Sequence, residues 1–495
     1  MTGTISNGLS ALLAAQRALQ TTSNNIANAN TAGYVRQRTE FAAIPGTPSG
    51  RYTIGAGVTV ADVTRAYDEF LSNNLRTTTS NEQRYAVFGD FATRLDGILG
   101  NPDTGISSAI QRFFNQVEVV GRDPTSIAQR QQLLSEGESL AARFKQLDSQ
   151  LNGLGNEVDG RLRNATSAVN QLTQQLADVN GQIIEAGARA APGLFDQRDK
   201  LLRDLGTQID ISTVSAPDGS VTVFAGNGQS LVLGVRALEL TTVPDNFDAT
   251  RLQLAVNNGG TLQVISTKVN GGVVGGLLAF RNDVLDDSQR DLGQLAAGIA
   301  EVFNTQHRQG VDLNGALGTD FFGTPTIRPS GALTNTGSAT VNAAIVATGN
   351  LTGRDYELHF NGTAWSVVDH QTGAGVTATG IGTAASPLLF DGLSVTATGT
   401  ANAGDRFLVR PLAAATSDFR TLLQAPGDIA AAAPLVARTS AGNLSQATIG
   451  PPSVTDINNL GPLPITITSC TFAGSITLSG LRVFALSNRT SVVSG

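Results

Sequence analysis

The chain has 495 residues, a formal net charge of −7, a single cysteine and 5% aromatic residues. That length suits about three domains, and the mild charge gives no electrostatic case for nucleic acid or an anionic membrane. Cys470 alone excludes an intramolecular disulfide framework and a cysteine-based metal cluster, and no segment is apolar for the length that a membrane-spanning helix needs. Fifty-five glycines and abundant alanine and threonine point to long helices combined with glycine-rich β structure. The start, MTGTISNGLS, lacks the basic-then-apolar layout of a cleaved secretory signal, which taken alone points to a cytoplasmic protein.

The first element is a helix over residues 5–29. Ile5, Leu12, Leu19 and Ile26 recur at heptad spacing with Leu9 beside them, while alanines keep the flanks small. Thr4, Ser6 and Asn7 supply capping groups, and Gly33 is the expected stop. One narrow stripe calls for a partner helix, from this chain or from another subunit. Periodicity alone describes an ordinary amphipathic helix. The string SNNIANANTAGYVRQR, Ser23 to Arg38, says more: it resembles the N-terminal signature of the bacterial flagellar axial proteins, the rod, hook and hook-associated proteins. The resemblance implies pairing of this helix with a C-terminal helix in a tubular core. It also implies export through the flagellar type III channel on an uncleaved N-terminal signal, hence an extracellular location.

Residues 40–66 alternate as strands do, and Gly55-Ala56-Gly57 reads as a turn, since no helix at phosphate-loop spacing follows it. The Arg-x-Tyr-Asp run at Arg65–Asp68 resembles the segment that follows the first helix in the same family. From about Glu69 to Ile184 the pattern is helical. Tyr85, Phe88, Leu95 and Ile98 mark one helix, and Ile106, Ile110, Phe113, Phe114 and Val117 a second. A third, over about 125–185, carries Leu140, Phe144, Leu147, Leu151, Leu154, Val158, Leu162, Leu172 and Leu176, with a heptad stutter at Leu154-Val158-Leu162. Gly153, Gly155 and Gly160 sit at the stutter, where each costs up to about 1 kcal/mol, so a bend or break is expected there. In Pro192–Ile211 the charges suggest a solvated face with Asp196/Lys200 and Asp199/Arg203 pairs.

Hairpins follow across Asn227-Gly228 and across Asn258-Gly259-Gly260. A helix over 276–308 carries Leu278, Leu285, Leu292 and Ile299 at heptad spacing. The Leu-x-Asp-Gln-Arg-Asp run at Leu194–Asp199 and the stretch Gly275–Phe322 resemble the hook-associated protein 1 family within the axial proteins. Beyond Thr324 the composition turns to Thr, Gly, Ala, Ser and Val. Tyr356, Leu358 and Phe360, then Trp365 and Val367, Leu393 and Val395, and Asp405–Val409 read as strands of an outer domain, with a short helix within 412–434. The segment from Cys470 to Gly495 shows no helical stripe, unlike the C-terminal helix of the family. A truncation or a reading-frame change near Ser469 is the expectation, which bears on core assembly and on any C-terminal chaperone site.

No catalytic constellation emerges. His307, His359 and His370 have no partner at metal-ligand spacing; His307 reads as a helix-end histidine and the others as surface or cap residues. Neither a nucleophile elbow nor a phosphate loop is present, and no cofactor or metal is expected. The expected fold is α+β: an elongated multidomain chain with a long-helix, coiled-coil core and β-rich outer domains. The expected division is an assembly helix and extended segment at 1–66 and a helical domain at 67–323 with β hairpins at about 209–270. An outer β domain follows at 324–436, then a further β insertion or altered C-terminus at 437–495. The residues expected to carry assembly and helix packing are Ile5, Leu9, Leu12, Leu19 and Ile26, then Leu147, Leu151, Leu172 and Leu176, then Leu285, Leu292 and Ile299. The helices 5–29, 125–185 and 276–308 should form one bundle. The resemblance implies a structural, non-enzymatic adaptor ring at the hook–filament junction, a homo-oligomer contacting the hook protein and a second junction protein, with a possible export chaperone and no nucleic acid or membrane insertion. A hook or rod protein, or a secreted β-rich adhesin with a helical stalk, are the alternatives.

Overall fold

The computed structural model describes residues 2–49, 51–100, 105–226 and 228–433, and beyond these only short backbone strands. The chain divides into two compact units, Met1–Thr93 with Leu154–Val284, and Arg94–Gly153 with Leu285–Gly495.

The first unit opens with helix α1 (Thr2–Ala27). It ends earlier than expected: Gly33 does take a left-handed φ of +89°, but it closes the turn after the helix rather than the helix itself. Strands β1 (Gln37–Ala43), β2 (Thr47–Ser49), β3 (Tyr52–Ile54) and β4 (Val58–Arg65) follow. β1 pairs antiparallel with β4, with a bulge between Glu40 and Phe41, and β2 pairs with β3 at the far end. The Gly55-Ala56-Gly57 segment joins β3 to β4, as the turn reading required.

Helix α2 (Glu69–Leu99) begins in this unit, and α3 (Ile106–Arg122) belongs to the other. Helix α4 (Ile127–Ala186) is one unbroken helix of 60 residues, about 90 Å at the standard rise. The helix does not break at the glycines. Leu151, Leu154, Val158 and Leu162 are all buried across the stutter, and packing of that order outweighs a few glycine penalties of about 1 kcal/mol each. The division between the two units nevertheless falls between Gly153 and Leu154, at the stutter.

Helix α5 (Pro192–Gln208) leads into a four-stranded sheet of β5 (Ile211–Ser215), β6 (Val221–Ala225), β7 (Gln229–Leu233) and β8 (Arg236–Ala237). A three-stranded sheet of β9 (Glu239–Pro244), β10 (Leu252–Asn258) and β11 (Thr261–Val264) comes next. The β10–β11 hairpin turns through Gly259 and Gly260 at φ +63° and +95°, as its sequence demands. Two asparagines of α4, Asn180 buried and Asn170 half-buried, fasten both sheets to it. Asn180 donates to the carbonyls of Val221 (2.9 Å) and Gly234 (2.8 Å) and accepts from the Val221 N–H; Asn170 exchanges both bonds with the Leu240 backbone.

The expected helix over 276–308 is two helices, α6 (Gly272–Phe280) and α7 (Asp286–Arg308), separated by a π-helical turn at Arg281–Leu285. A wide turn of that kind accommodates an extra residue, which heptad counting cannot register. In the first unit Phe280 packs on Phe91 of α2 at 5.0 Å between ring centres, and Arg161 of α4 lies 4.8 Å over Phe91. Arg281 donates to Asp159 of α4 at 2.9 Å in a buried pair.

In the second unit Phe113 of α3 meets Phe303 of α7 and the loop residues Phe321 and Phe322, with ring centres 5.1 to 5.8 Å away. The chain then enters β12 (Ser330–Gly331), β13 (Thr340–Ile345), β14 (Tyr356–Phe360), β15 (Trp365–Asp369), β16 (Gly375–Val376), β17 (Leu388–Phe390), β18 (Leu393–Thr398) and β19 (Arg406–Val409). These form a five-stranded sheet, β12-β19-β14-β15-β16, and a three-stranded sheet, β13-β18-β17. Tyr356, Leu358, Val367, Leu393, Val395 and Val409 from the two sheets share one apolar core, as the alternation predicted. A one-turn helix, α8 (Ala415–Asp418), occupies part of the 412–434 stretch. Further on, strands Gly474–Leu478 and Leu481–Ala485 pair antiparallel; Cys470, and with it the proposed site of a frame change, lies outside the described residues.

Candidate assembly surface

Helix α1 has two faces of opposite character, and their roles are reversed from the ordinary amphipathic plan. Asn7, Ser10, Ala14, Ala18, Thr21, Asn25 and Asn28 follow one another at steps of three and four and form the covered face. This face lies on β1 and β4. Asn7 donates to the Gly55 carbonyl (2.9 Å), and Ser10 accepts from the Val58 N–H (3.2 Å). A Cβ on Gly57 would stand 2.1 Å from the Ser10 hydroxyl, so only glycine allows this approach. Asn25 forms a two-way clasp with the Gln37 backbone, 2.9 Å in each direction, and accepts from the Tyr34 hydroxyl at 2.7 Å. Thr39 of β1 donates to Thr21 at 3.1 Å.

The heptad stripe points the other way. Ile5, Leu9, Leu12, Leu19 and Ile26 are all more than half exposed, reaching 73% at Ile26. Each would gain about 1.5–3 kcal/mol on burial, so the stripe forgoes roughly 7–15 kcal/mol while it stays in water. The expectation that α1 joins α4 and the 276–308 region in one bundle is therefore corrected: α1 sits on the hairpin through its polar face. The reason is that Asn, Ser and Thr can saturate backbone groups of β1 and β4, which leucines cannot.

The other expected assembly residues are core. Leu147, Leu151 and Leu176 of α4 are fully buried and Leu172 is half-buried. Leu285, Leu292 and Ile299 are buried along the π-turn and α7. All but Leu172 are packed inside their own units, as helix packing requires, and so are closed to a partner.

The hairpin is in turn fastened to α5 by a buried ionic clamp. Arg65, the last residue of β4, donates through Nε to Asp196 at 2.8 Å and through Nη2 to Asp199 at 2.6 Å. Its guanidinium lies 4.9 Å over the Tyr67 ring and 5.9 Å from that of Phe195. The Val35 N–H donates to the second oxygen of Asp196 at 3.3 Å, and Arg198 closes the network on Asp199 at 3.2 Å. The solvated face expected here is wrong: Asp196 and Asp199 are buried, and neither expected i,i+4 pair forms, although Lys200–Asp204 does. Asp196 and Asp199 lie on the face that continues into Leu202, which is buried. The Arg-x-Tyr-Asp and Leu-x-Asp-Gln-Arg-Asp runs, far apart in sequence, thus meet in space. Sequence reasoning noted both and missed that they are partners.

The histidines hold structural posts. His307 is buried at the end of α7; its Nδ1 faces the Thr319 carbonyl at 2.5 Å and its Nε2 accepts from the Ala430 N–H at 2.8 Å, and burial pulls its pKa below the ordinary value. His370 and His359 both turn onto Glu357, at 2.6 and 2.9 Å, a meeting not foreseen from the sequence. Among the described residues no cluster has the ligand geometry of a metal site, and no helix is long and apolar enough to cross a membrane.

Three family models match the chain: a flagella basal body rod protein model over residues 5–34, the helical domain of flagellar hook-associated protein FlgK over 92–322, and a D2-like domain of flagellar hook-associated protein 1 over 331–411. Flagellar hook-associated protein 1 of Escherichia coli K12 is 32% identical over 87% of this chain and 80% of that protein. The chain belongs to the flagellar hook-associated protein 1 family. Its Bacillus subtilis relative of that name is 29% identical over 63% of this chain and 68% of that protein. A flagellar hook junction protein from Burkholderia pseudomallei has a similar structure, with a TM-score of 0.75 at 28% identity, covering 85% of this chain and 79% of that one. The family's rod-type segment coincides with α1 and its following turn, the part of the chain that carries the exposed stripe.

Proposed function

We propose that the chain is a structural, non-catalytic component of the bacterial flagellum that acts at the junction between hook and filament. Its subunits form an adaptor ring that contacts the hook protein on one side and a second junction protein on the other. The chain reaches this extracellular place by flagellar export without signal cleavage, with an export chaperone as a further partner. The observation that carries the reading is the exposed stripe of α1, presented on a hairpin that is clamped to α5. An apolar row held outward by a satisfied polar face is an interface awaiting another helix. Membership of the hook-associated protein 1 family supports it.

The test is substitution of Leu12→Asp together with Leu19→Asp. Incorporation into flagella is abolished while the isolated chain keeps its helical content and the two-sheet domain its unfolding transition; normal incorporation would sink the reading of α1. Cells lacking the protein, imaged by negative stain, show hooks without filaments.

A further inference from the structure

A cleft of about 260 Å³ opens in the first unit, walled by Arg76, Ser80 and Asn81 of α2, by Asp210 and Ser212 at the entry to β5, and by Gly271 before α6. Its lining mixes polar side chains with apolar surface from Ile211 and the glycines, and two of its polar groups have bonding capacity to spare. Arg76 is only 8% exposed. Its Nη2 donates to Asn73 Oδ1 at 2.7 Å and to Thr213 Oγ1 at 3.1 Å, both neutral, and among the described residues no carboxylate pairs with it. Burial pulls the Arg76 pKa down; the charges of Asp199 and Glu69 act against this from beyond ion-pair contact, whereas a buried cation ordinarily has a counter-charge in direct contact. The Ser80 hydroxyl, on a residue 5% exposed, has no hydrogen-bond partner.

Asp210 does not supply what is missing. Its Oδ1 accepts from the Asn270 N–H at 3.2 Å, at the entry to α6. The wall stays open because two neighbours are glycine. A Cβ on Gly206 would come 3.0 Å from Arg76 Cγ, and one on Gly271 would come 2.6 Å from the Ser80 hydroxyl. The volume lies below the usual range for drug-sized ligands, so the cleft admits a group of a few heavy atoms. A guanidinium fork beside a spare hydroxyl matches one planar, charged group best.

We propose that this cleft is a carboxylate-binding site, in which one carboxylate, of a small organic acid or of an acidic side chain, is received by Arg76 and Ser80. The site stands apart from the α1 stripe and does not depend on its reading.

The test uses the full chain at fixed ionic strength, with acetate and the side-chain mimic N-acetylglutamate α-amide as probes and chloride as the control anion. Both probes raise the thermal midpoint in a saturable way and chloride does not. Arg76→Gln abolishes the effect. Should that variant fail to fold, Ser80→Ala decides: deleting an unpartnered buried hydroxyl leaves the unliganded chain at least as stable, yet weakens binding about tenfold. Tighter binding of the mimic than of acetate assigns the carboxylate to a polypeptide, and equal binding assigns it to a free acid. No saturable shift with either probe, or the same shift in parent and Ser80→Ala, overturns the proposal.

Discussion

Helices α1 and α4 both repeat large apolar residues at heptad spacing, yet α4 buries Leu147, Leu151, Val158 and Leu162 while α1 holds Ile5, Leu12, Leu19 and Ile26 in solvent. The difference lies in the opposite faces. Behind the α1 stripe stand Asn7, Ser10, Thr21 and Asn25, each able to bond strand backbone or strand hydroxyls. Along α4 the covered asparagines, Asn170 and Asn180, lie beside the buried stripe and bond the sheets without displacing it. A heptad therefore fixes which residues share a face. The polar residues decide whether that face turns inward within the chain or is kept for another one.

The comparison can be broken most sharply in α4. Leu151→Asp puts a carboxylate in a fully buried position, and loss of the folded state by circular dichroism is expected; the milder Leu151→Ala should cost about 2–5 kcal/mol in urea unfolding. Next comes the clamp that presents α1. Asp196→Ala leaves Arg65 buried with half its counter-charge, at a cost of about 3–5 kcal/mol for a fully broken pair. Because the clamp ties the hairpin to α5, protease cleavage within residues 37–65 should accelerate while the two-sheet domain keeps its protection. Asn180→Ala strands the Val221 N–H and costs about 1–3 kcal/mol, read as a lower urea midpoint.

A smaller effect concerns acid. Burial alone would raise the Glu357 carboxyl, but bonds from His370 and His359 and the charges of His370 and Arg406 hold it at about 2. With a folded pKa below the ordinary 4.5, this group's stabilisation is fully present above pH 4.5 and is lost as pH falls toward 2. His307, lowered by burial, acts in a higher window: its contribution is complete above its ordinary 6.5 and drains as pH falls below that. Urea midpoints of the parent and Glu357→Gln from pH 3 to 7 separate the two, since only the lower window vanishes in the variant. The smallest effect is the stability change of Leu12→Asp with Leu19→Asp, within about 0.5 kcal/mol, because both residues are exposed. A large loss there would show that the stripe is packed within the chain after all.

Much of this was written in local pattern. Helical and strand periods located α2 to α5 and most of β5 to β19, and the glycine pair at 259–260 fixed a hairpin. The α1 stripe was legible as a row of five apolar residues, Ile5, Leu9, Leu12, Leu19 and Ile26. Its outward direction was not, since period alone does not say what covers a face. The glycines of α4 promised a break because helix propensity is local, whereas the leucines around them are buried by distant chain. The charges of α5 read as solvated because their partner, Arg65, lies more than a hundred residues away.

By itself, then, the sequence determined the elements, the apolar rows and the family, all set by short-range geometry and by strings of residues. Only the tertiary structure decided that Ile5, Leu9, Leu12, Leu19 and Ile26 face outward, that Asp196 and Asp199 grip Arg65, and that Arg76 and Ser80 wall a cleft. Each of those depends on which remote backbone groups and charges are brought within hydrogen-bond reach, and no local period encodes that.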